Sequence, residues 1–131
     1  MSRPHRKIRP RCTGCQMHVQ LCLCALVTPI ETRSRVAVIM HSKEQRKSSN
    51  SGRLVPMALT RGEVRIRGLK HVPMDSDGLI DPARLNLVLY PADDARVLSR
   101  DWLEADGRPV TLLVPDGNWR QAKRVARREP S

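Results

Sequence analysis

Two groups of residues in this chain have types and spacings that could do chemistry. The first is a cysteine cluster: Cys12-Thr13-Gly14-Cys15, six intervening residues, then Cys22-Leu23-Cys24. A two-residue spacing lets both thiolates of a pair turn onto one ion, and Gly14 eases the tight turn. Four sulfurs would close the tetrahedral shell of zinc and leave no position for water, so the site would be structural. Disulfides or unrelated thiols are the alternatives, although Cys22 and Cys24 are too near each other for an easy mutual bond. His18 could stand in for one sulfur, but a loop histidine is more often merely exposed.

The second group consists of polar residues that directly follow apolar runs. Arg35–Met40 empties into His41-Ser42-Lys43-Glu44 and a loop ending Asn50-Ser51-Gly52-Arg53. Leu85–Tyr90 is followed by Pro91-Ala92-Asp93-Asp94, and Val110–Val114 by Pro115-Asp116-Gly117-Asn118-Trp119. Ligands of open α/β sheets bind just past the carboxyl ends of strands, so these segments could share one pocket. Each also has a plainer explanation. His41 suits a turn or a cap, Glu44 a solvated face, Asn50-Ser51-Gly52 a turn, and Asp93-Asp94 a helix start. Asp116, between a strand end and a helix N-terminus, is well placed to accept a proton or to bind an ammonium. Spacing does not choose between those roles. Trp119 beside it should be packed.

These residues need a scaffold, and the pattern around them is α/β. Arg35–Met40, Leu85–Tyr90 and Val110–Val114 read as buried strands, and Glu63–Leu69 as an exposed or edge strand. A short helix over Asn50–Leu59 is interrupted by Pro56. Asp93 and Asp94 should open a helix running to about Glu104. Asn118 can cap a final helix with Trp119, Ala122, Val125 and Ala126 on one face. Alternating strands and helices imply a mainly parallel sheet flanked by helices.

Charge narrows the class of partner. The 131 residues carry 24 Lys+Arg against 13 Asp+Glu, a formal charge of +11, with only Trp102, Trp119 and Tyr90 as aromatics. So few aromatics exclude a stacking platform for single strands and leave phosphate contacts as the means of holding a polyanion. The charge comes in blocks: a basic arm over residues 1–11, an acidic stretch from Asp75 to Asp106, and a basic end. In the final helix, Arg120, Lys123, Arg124, Arg127 and Arg128 read as an RNA-phosphate face. With no apolar run long enough to span a membrane and no export signal, a cytoplasmic protein is the expectation. In that reducing compartment the cysteines are more readily metal ligands than disulfides.

The ordered motifs from Cys12 to about Arg128 resemble the DTW-domain tRNA-uridine aminocarboxypropyltransferases. They run Cys-x-x-Cys and Cys-x-Cys, His-x-x-Glu, Asn-x-Gly-Arg-Leu, Tyr-Pro-x-x-Asp-Ala and Asp-Gly-x-Trp, each after its strand or loop. Ser42, Ser51 and Asn118 depart mildly from the family pattern, which has proline, threonine and threonine there. The resemblance implies a SPOUT-related α/β fold with a knotted C-terminal part. It also implies transfer of the 3-amino-3-carboxypropyl group of S-adenosylmethionine to N3 of a tRNA uridine, releasing methylthioadenosine. Residue by residue, Cys12, Cys15, Cys22 and Cys24 match the zinc ligands, and Asp116 is the catalytic candidate. His41, Glu44, Asn50, Gly52, Tyr90, Pro91, Asp94 and Trp119 match cofactor-binding positions, and Arg53 joins the RNA-binding set.

The resulting expectation is a basic arm over 1–11, a four-cysteine zinc module over 12–28 and an α/β DTW domain over 29–131. The family continues past this chain's last helix, so the domain is expected to be incomplete and its knot region missing. The alternative function is a non-catalytic, zinc-containing RNA-binding module or a truncated remnant of the enzyme.

Overall fold

The computed structural model describes residues 9–128. Most of the expected basic arm, residues 1–8, lies outside the described residues. Arg11 already belongs to the cysteine loop: it bridges His18, and its Nη1 donates to the Gln16 carbonyl at 2.9 Å.

Four strands form one sheet: β1 (Arg35–His41), β2 (Gly62–Arg67), β3 (Leu85–Val88) and β4 (Val110–Asp116), in the order β2-β1-β4-β3. Every neighbouring pair is parallel. The register aligns His41 with Arg67 across one boundary of β1 and Met40 with Asp116 across the other. All four carboxyl ends therefore open on the same sheet edge, as the alternation of elements predicts. β1 supplies the most deeply buried run, Ala37 to Met40. Its β-branched and aliphatic side chains suit a central strand covered on both faces.

On one face, α3 (Trp119–Arg128) lays Ala122 and Val125 down, and Val125 joins Ala37, Ile39 and Leu113 in the core. Leu79 completes that core from the loop after β2. Arg65 holds the loop there, donating to the Asp75 carboxylate and to the carbonyls of Asp75 and Asp77. The crossover between β1 and β2 carries α1 (Val55–Ala58), preceded by a 3-10 turn at Gly52–Leu54. No helix among the described residues is long and apolar enough to cross a membrane.

Several expectations are corrected. β3 is a half-buried edge strand that ends at Val88, and Leu89 is already exposed, so the run to Tyr90 is not a buried strand. Pro56 sits in the first turn of α1, where a missing amide donor leaves no bond unmade, so it starts that helix instead of interrupting it. Asp93 and Asp94 lie in a turn, and α2 (Arg100–Asp106) begins later. The reason is the cap: Ser99 has extended backbone, and its side chain accepts the Trp102 amide at 3.2 Å. An acidic pair can favour a helix dipole without supplying the acceptor that starts the helix. Trp119 does not share the core face with Ala122 and Val125; it is 72% exposed.

Ser99→Ala is accordingly expected to lower stability by about 0.5–2 kcal/mol in urea unfolding, the usual worth of such a cap. Asp94→Asn should stay within about 0.5 kcal/mol of the parent, as an exposed substitution does. The reverse ranking would return the helix start to the acidic pair.

Candidate active site and metal cluster

Asp116 ends β4 and precedes α3 by a two-residue turn. The turn is locked by a reciprocal cap: Asn118 Oδ1 accepts the Gln121 amide at 3.0 Å, and Gln121 Oε1 accepts the Asn118 amide at 2.8 Å. Asn118 is thus the cap its sequence position suggests.

A second segment reaches Asp116 from far along the chain. Asn50 Nδ2 donates to Asp116 Oδ2 at 2.7 Å, while Asn50 Oδ1 accepts the Gly52 amide at 2.9 Å. One amide side chain therefore closes its own turn and orients the carboxylate. Gly52 is required by close approach: a Cβ there would lie 2.6 Å from Asp116 Oδ2 and 3.2 Å from the Met40 methyl. Arg53 faces inward to this loop, its guanidinium donating to the carbonyls of Asn50 and Lys47. It holds the Asn50 turn, and nothing in its bonding directs it to RNA. Leu54 ends the 3-10 turn that follows.

His41 ends β1. Its Nδ1 accepts the Lys43 amide at 3.2 Å, so the neutral ring carries its proton on Nε2. Nε2 faces Gly68, where a Cβ would come within 2.6 Å; Gly68 also has φ +81°, a conformation that suits glycine. Burial lowers the His41 pKa below the ordinary 6.5, helped by Lys43 and opposed by Glu44. Glu44 is buried instead of solvated and pairs with Lys47 at 2.5 Å.

His41 and Asp116 line one cavity of about 210 Å³ with Arg67, Gly68, Gln121 and Arg124. Arg67, Gly68 and Gln121 were not singled out from the sequence. The available signal was their position: Arg67-Gly68 directly follows a strand, as the other candidate segments do. Tyr90, Pro91, Asp94 and Ala95 lie elsewhere, on a larger apolar groove of about 520 Å³ that includes Leu87, Leu98 and Trp102. The Arg96 guanidinium stacks 4.4 Å over the Trp102 ring. Trp119 meets this side through Tyr90, edge to face at 6.3 Å. Arg120, Lys123, Arg124 and Arg127 are exposed on α3, and the side chain of Arg128 lies outside the described residues.

The four cysteines do converge. Their sulfurs all lie within 4.8 Å of one another, with separations of 3.6 Å for Cys12–Cys24, 3.8 Å for Cys15–Cys22 and 3.5 Å for Cys12–Cys22. A tetrahedron of metal–sulfur bonds of about 2.3 Å has edges of about 3.8 Å, so the set could hold one metal ion. All four are free thiols. Backbone amides of Leu23 and Met17 lower the Cys15 thiol to about 6, and those of Cys15 and Gly14 lower that of Cys12. Cys24 is pushed up to about 12 by the neighbouring sulfurs. Amide donors that favour thiolate are what a metal site of this kind needs. His18 is not part of the cluster.

The fold and site therefore define a class: a parallel α/β domain with a polar strand-exit cavity and a four-thiol cluster. The DTW domain pattern matches residues 9–131, and the chain belongs to that family. Similar proteins include the tRNA-uridine aminocarboxypropyltransferase 2 of Drosophila melanogaster, 28% identical over 94% of this chain and 51% of the relative. The proteins of the same name from Macaca fascicularis and Mus musculus are each 25% identical, over 91% and 92% of this chain and 42% of their own length. The chain thus spans about half the length of the curated relatives it matches. No solved structure matches it significantly.

The His41 pKa predicts a pH dependence. A lowered value means that the fold favours the neutral ring, so this stabilisation is complete above the ordinary value near 6.5. It is lost as pH falls from there through the folded value. An NMR titration should place the His41 ring midpoint below 6.5, with His41→Gln assigning the signal; a midpoint above 6.5 would contradict the burial argument.

Proposed function

We propose that the strand-exit site serves tRNA modification, transferring the 3-amino-3-carboxypropyl group of S-adenosylmethionine to N3 of a tRNA uridine, with release of methylthioadenosine. The observation that carries this reading is the Asn50–Asp116 hydrogen bond, which orients a carboxylate beside His41 in a DTW-family chain.

S-adenosylmethionine supplies a sulfonium, so the carbon to be transferred already bears its leaving group. What the protein must add is alignment and a proton acceptor. Asp116 Oδ2 is occupied by Asn50, and Oδ1 receives no hydrogen bond among the described residues. Oδ1 accepts the uridine N3 proton as N3 bonds to the carbon, and the carbon–sulfur electron pair leaves on sulfur. Asn50 and Gly52 position that carboxylate, and Arg53 holds their turn. His41 presents its Nε2 proton to the cavity. The apolar groove with Tyr90, Pro91 and Asp94 accommodates the donor, with Trp119 flanking it through Tyr90. Glu44, paired to Lys47, supports the β1 exit.

Cys12, Cys15, Cys22 and Cys24 hold one structural zinc. The exposed Arg120, Lys123 and Arg127 follow the tRNA phosphates, so binding weakens steeply with salt. That same exposed basic face favours the second reading, a non-catalytic RNA-binding module. Calorimetry with S-adenosylmethionine separates the two: saturable binding supports the transferase, and its absence together with salt-sensitive tRNA binding supports the module.

Asp116→Asn should lower the transfer rate by about 10²–10⁴-fold, the range for a general base, with donor and tRNA affinities unchanged. Full activity would remove Asp116 from the chemistry, and a selective loss of donor affinity would make it an ammonium ligand instead. Metal-replete protein should carry one zinc per chain, with sulfur at about 2.3 Å by X-ray absorption. Less than about half an ion per chain would reject the four-ligand site.

A further inference from the structure

Most arginines near the sheet have visible partners. Arg35 pairs with Glu63, Arg61 with Glu31, Arg65 with Glu63 and Asp75, and Arg108 with Asp106. Arg84 donates to Thr111 Oγ1 and to two carbonyls. Arg67 is different. It is half-buried at the end of β2, and its guanidinium has no ion pair or hydrogen bond among the described residues. Arg124 lines the same cavity from α3 and is likewise without an ion pair among the described residues.

Arg67 is half-buried and Arg124 exposed on this one small cavity, and an anion between them relieves their repulsion. Both charges also act on the neighbouring His41 ring, which fits their convergence there. Asp116 lines the same cavity but is paired with neither: it makes no salt bridge among the described residues, and Asn50 holds its Oδ2. The position of Arg67 is fixed. The Ser42 amide donates to the Arg67 carbonyl at 2.8 Å, and Ser42 Oγ to the Gly68 carbonyl at 2.9 Å, tying the ends of β1 and β2 together. His41 adds a neutral Nε2–H donor.

We propose that the cavity between Arg67 and Arg124 is an oxyanion subsite. At about 210 Å³ it is smaller than the roughly 300–1,000 Å³ of sites that enclose whole ligands, so it takes the anionic end of a ligand. Guanidinium groups recognise carboxylate and phosphate alike. Resting on the transfer reading above, one source is the donor's α-carboxylate. The other is a phosphate of the RNA next to the target nucleotide.

The test is a titration of the full chain followed by amide NMR, with inorganic phosphate, uridine 5′-monophosphate, S-adenosylmethionine and decarboxylated S-adenosylmethionine as probes. At least one oxyanion should shift the Gly68 and Gln121 amides saturably. Arg67→Gln and Arg124→Gln should each weaken that binding by roughly tenfold or more, the worth of a charged hydrogen bond. Arg67→Lys should recover part of the loss, and amides far from the cavity should stay unmoved as a check on folding. If S-adenosylmethionine shifts these amides and its decarboxylated form does not, the occupant is the donor carboxylate. If only phosphate and the nucleotide do so, the occupant is RNA phosphate. Phosphate binding without any S-adenosylmethionine binding would keep the subsite while removing the transferase reading. No shift from any probe, or equal binding by parent and both glutamine variants, overturns the subsite.

Discussion

The register of β1 is the constraint on which the rest of the structure depends. Its parallel pairing with β2 sets His41 against Arg67, and its parallel pairing with β4 sets Met40 against Asp116. Because a strand's side chains alternate, a slip of one residue would turn Ala37 and Ile39 away from α3 and carry His41 out of the cavity. The deep burial of Ala37 to Met40 opposes such a slip. The apolar core thus fixes the placement of polar groups that contribute little to stability themselves.

A second layer of positioning comes from polar residues that join distant segments. Asn50 and Asp116 are far apart in sequence, yet one hydrogen bond fixes a loop of the first crossover against the end of β4. Ser42 does the same for the ends of β1 and β2. Such links are worth only about 0.5–1.5 kcal/mol each in net stability, or somewhat more when a charge is involved. Their greater effect is geometric, since each restricts where a carboxylate, an imidazole or a guanidinium can point.

The sequence made the strands, the parallel sheet and the thiol cluster legible because each rests on a local pattern. Branched apolar runs specify strands, and paired cysteines bring their own sulfurs together. It was less informative wherever a local preference had competitors. Two aspartates suggested a helix start, but Ser99 supplied the acceptor. Arg53 is read by resemblance with the RNA-binding set, whereas its guanidinium bonds to carbonyls that only the folded loop presents. Trp119 was expected to pack because of its size, yet its place in the first turn of α3 leaves it against Tyr90 and solvent. Arg67 and Gly68 were overlooked because they acquire significance only when β2 docks beside β1, which is a nonlocal event.

That last case also changes how the charge of +11 is understood. The total does not say which cations can grip a ligand, because the fold commits the guanidinium donors of several arginines to its own groups. Arg35 and Arg65 share Glu63, and Arg53 and Arg84 hold carbonyls. These groups fasten loops to the sheet, and their hydrogen-bond donors are engaged there. The cations without such partners among the described residues include Arg67, Arg120, Lys123, Arg124 and Arg127 at the β2 exit and along α3, and also Arg9, Arg33, Lys43, Arg46, Lys70 and Arg100. The positive charge of the first five attracts an anion to the edge where Asp116 and His41 sit. Arginine content is therefore a poor measure of binding in this chain; which arginines the fold leaves unpaired, and where, is the relevant quantity.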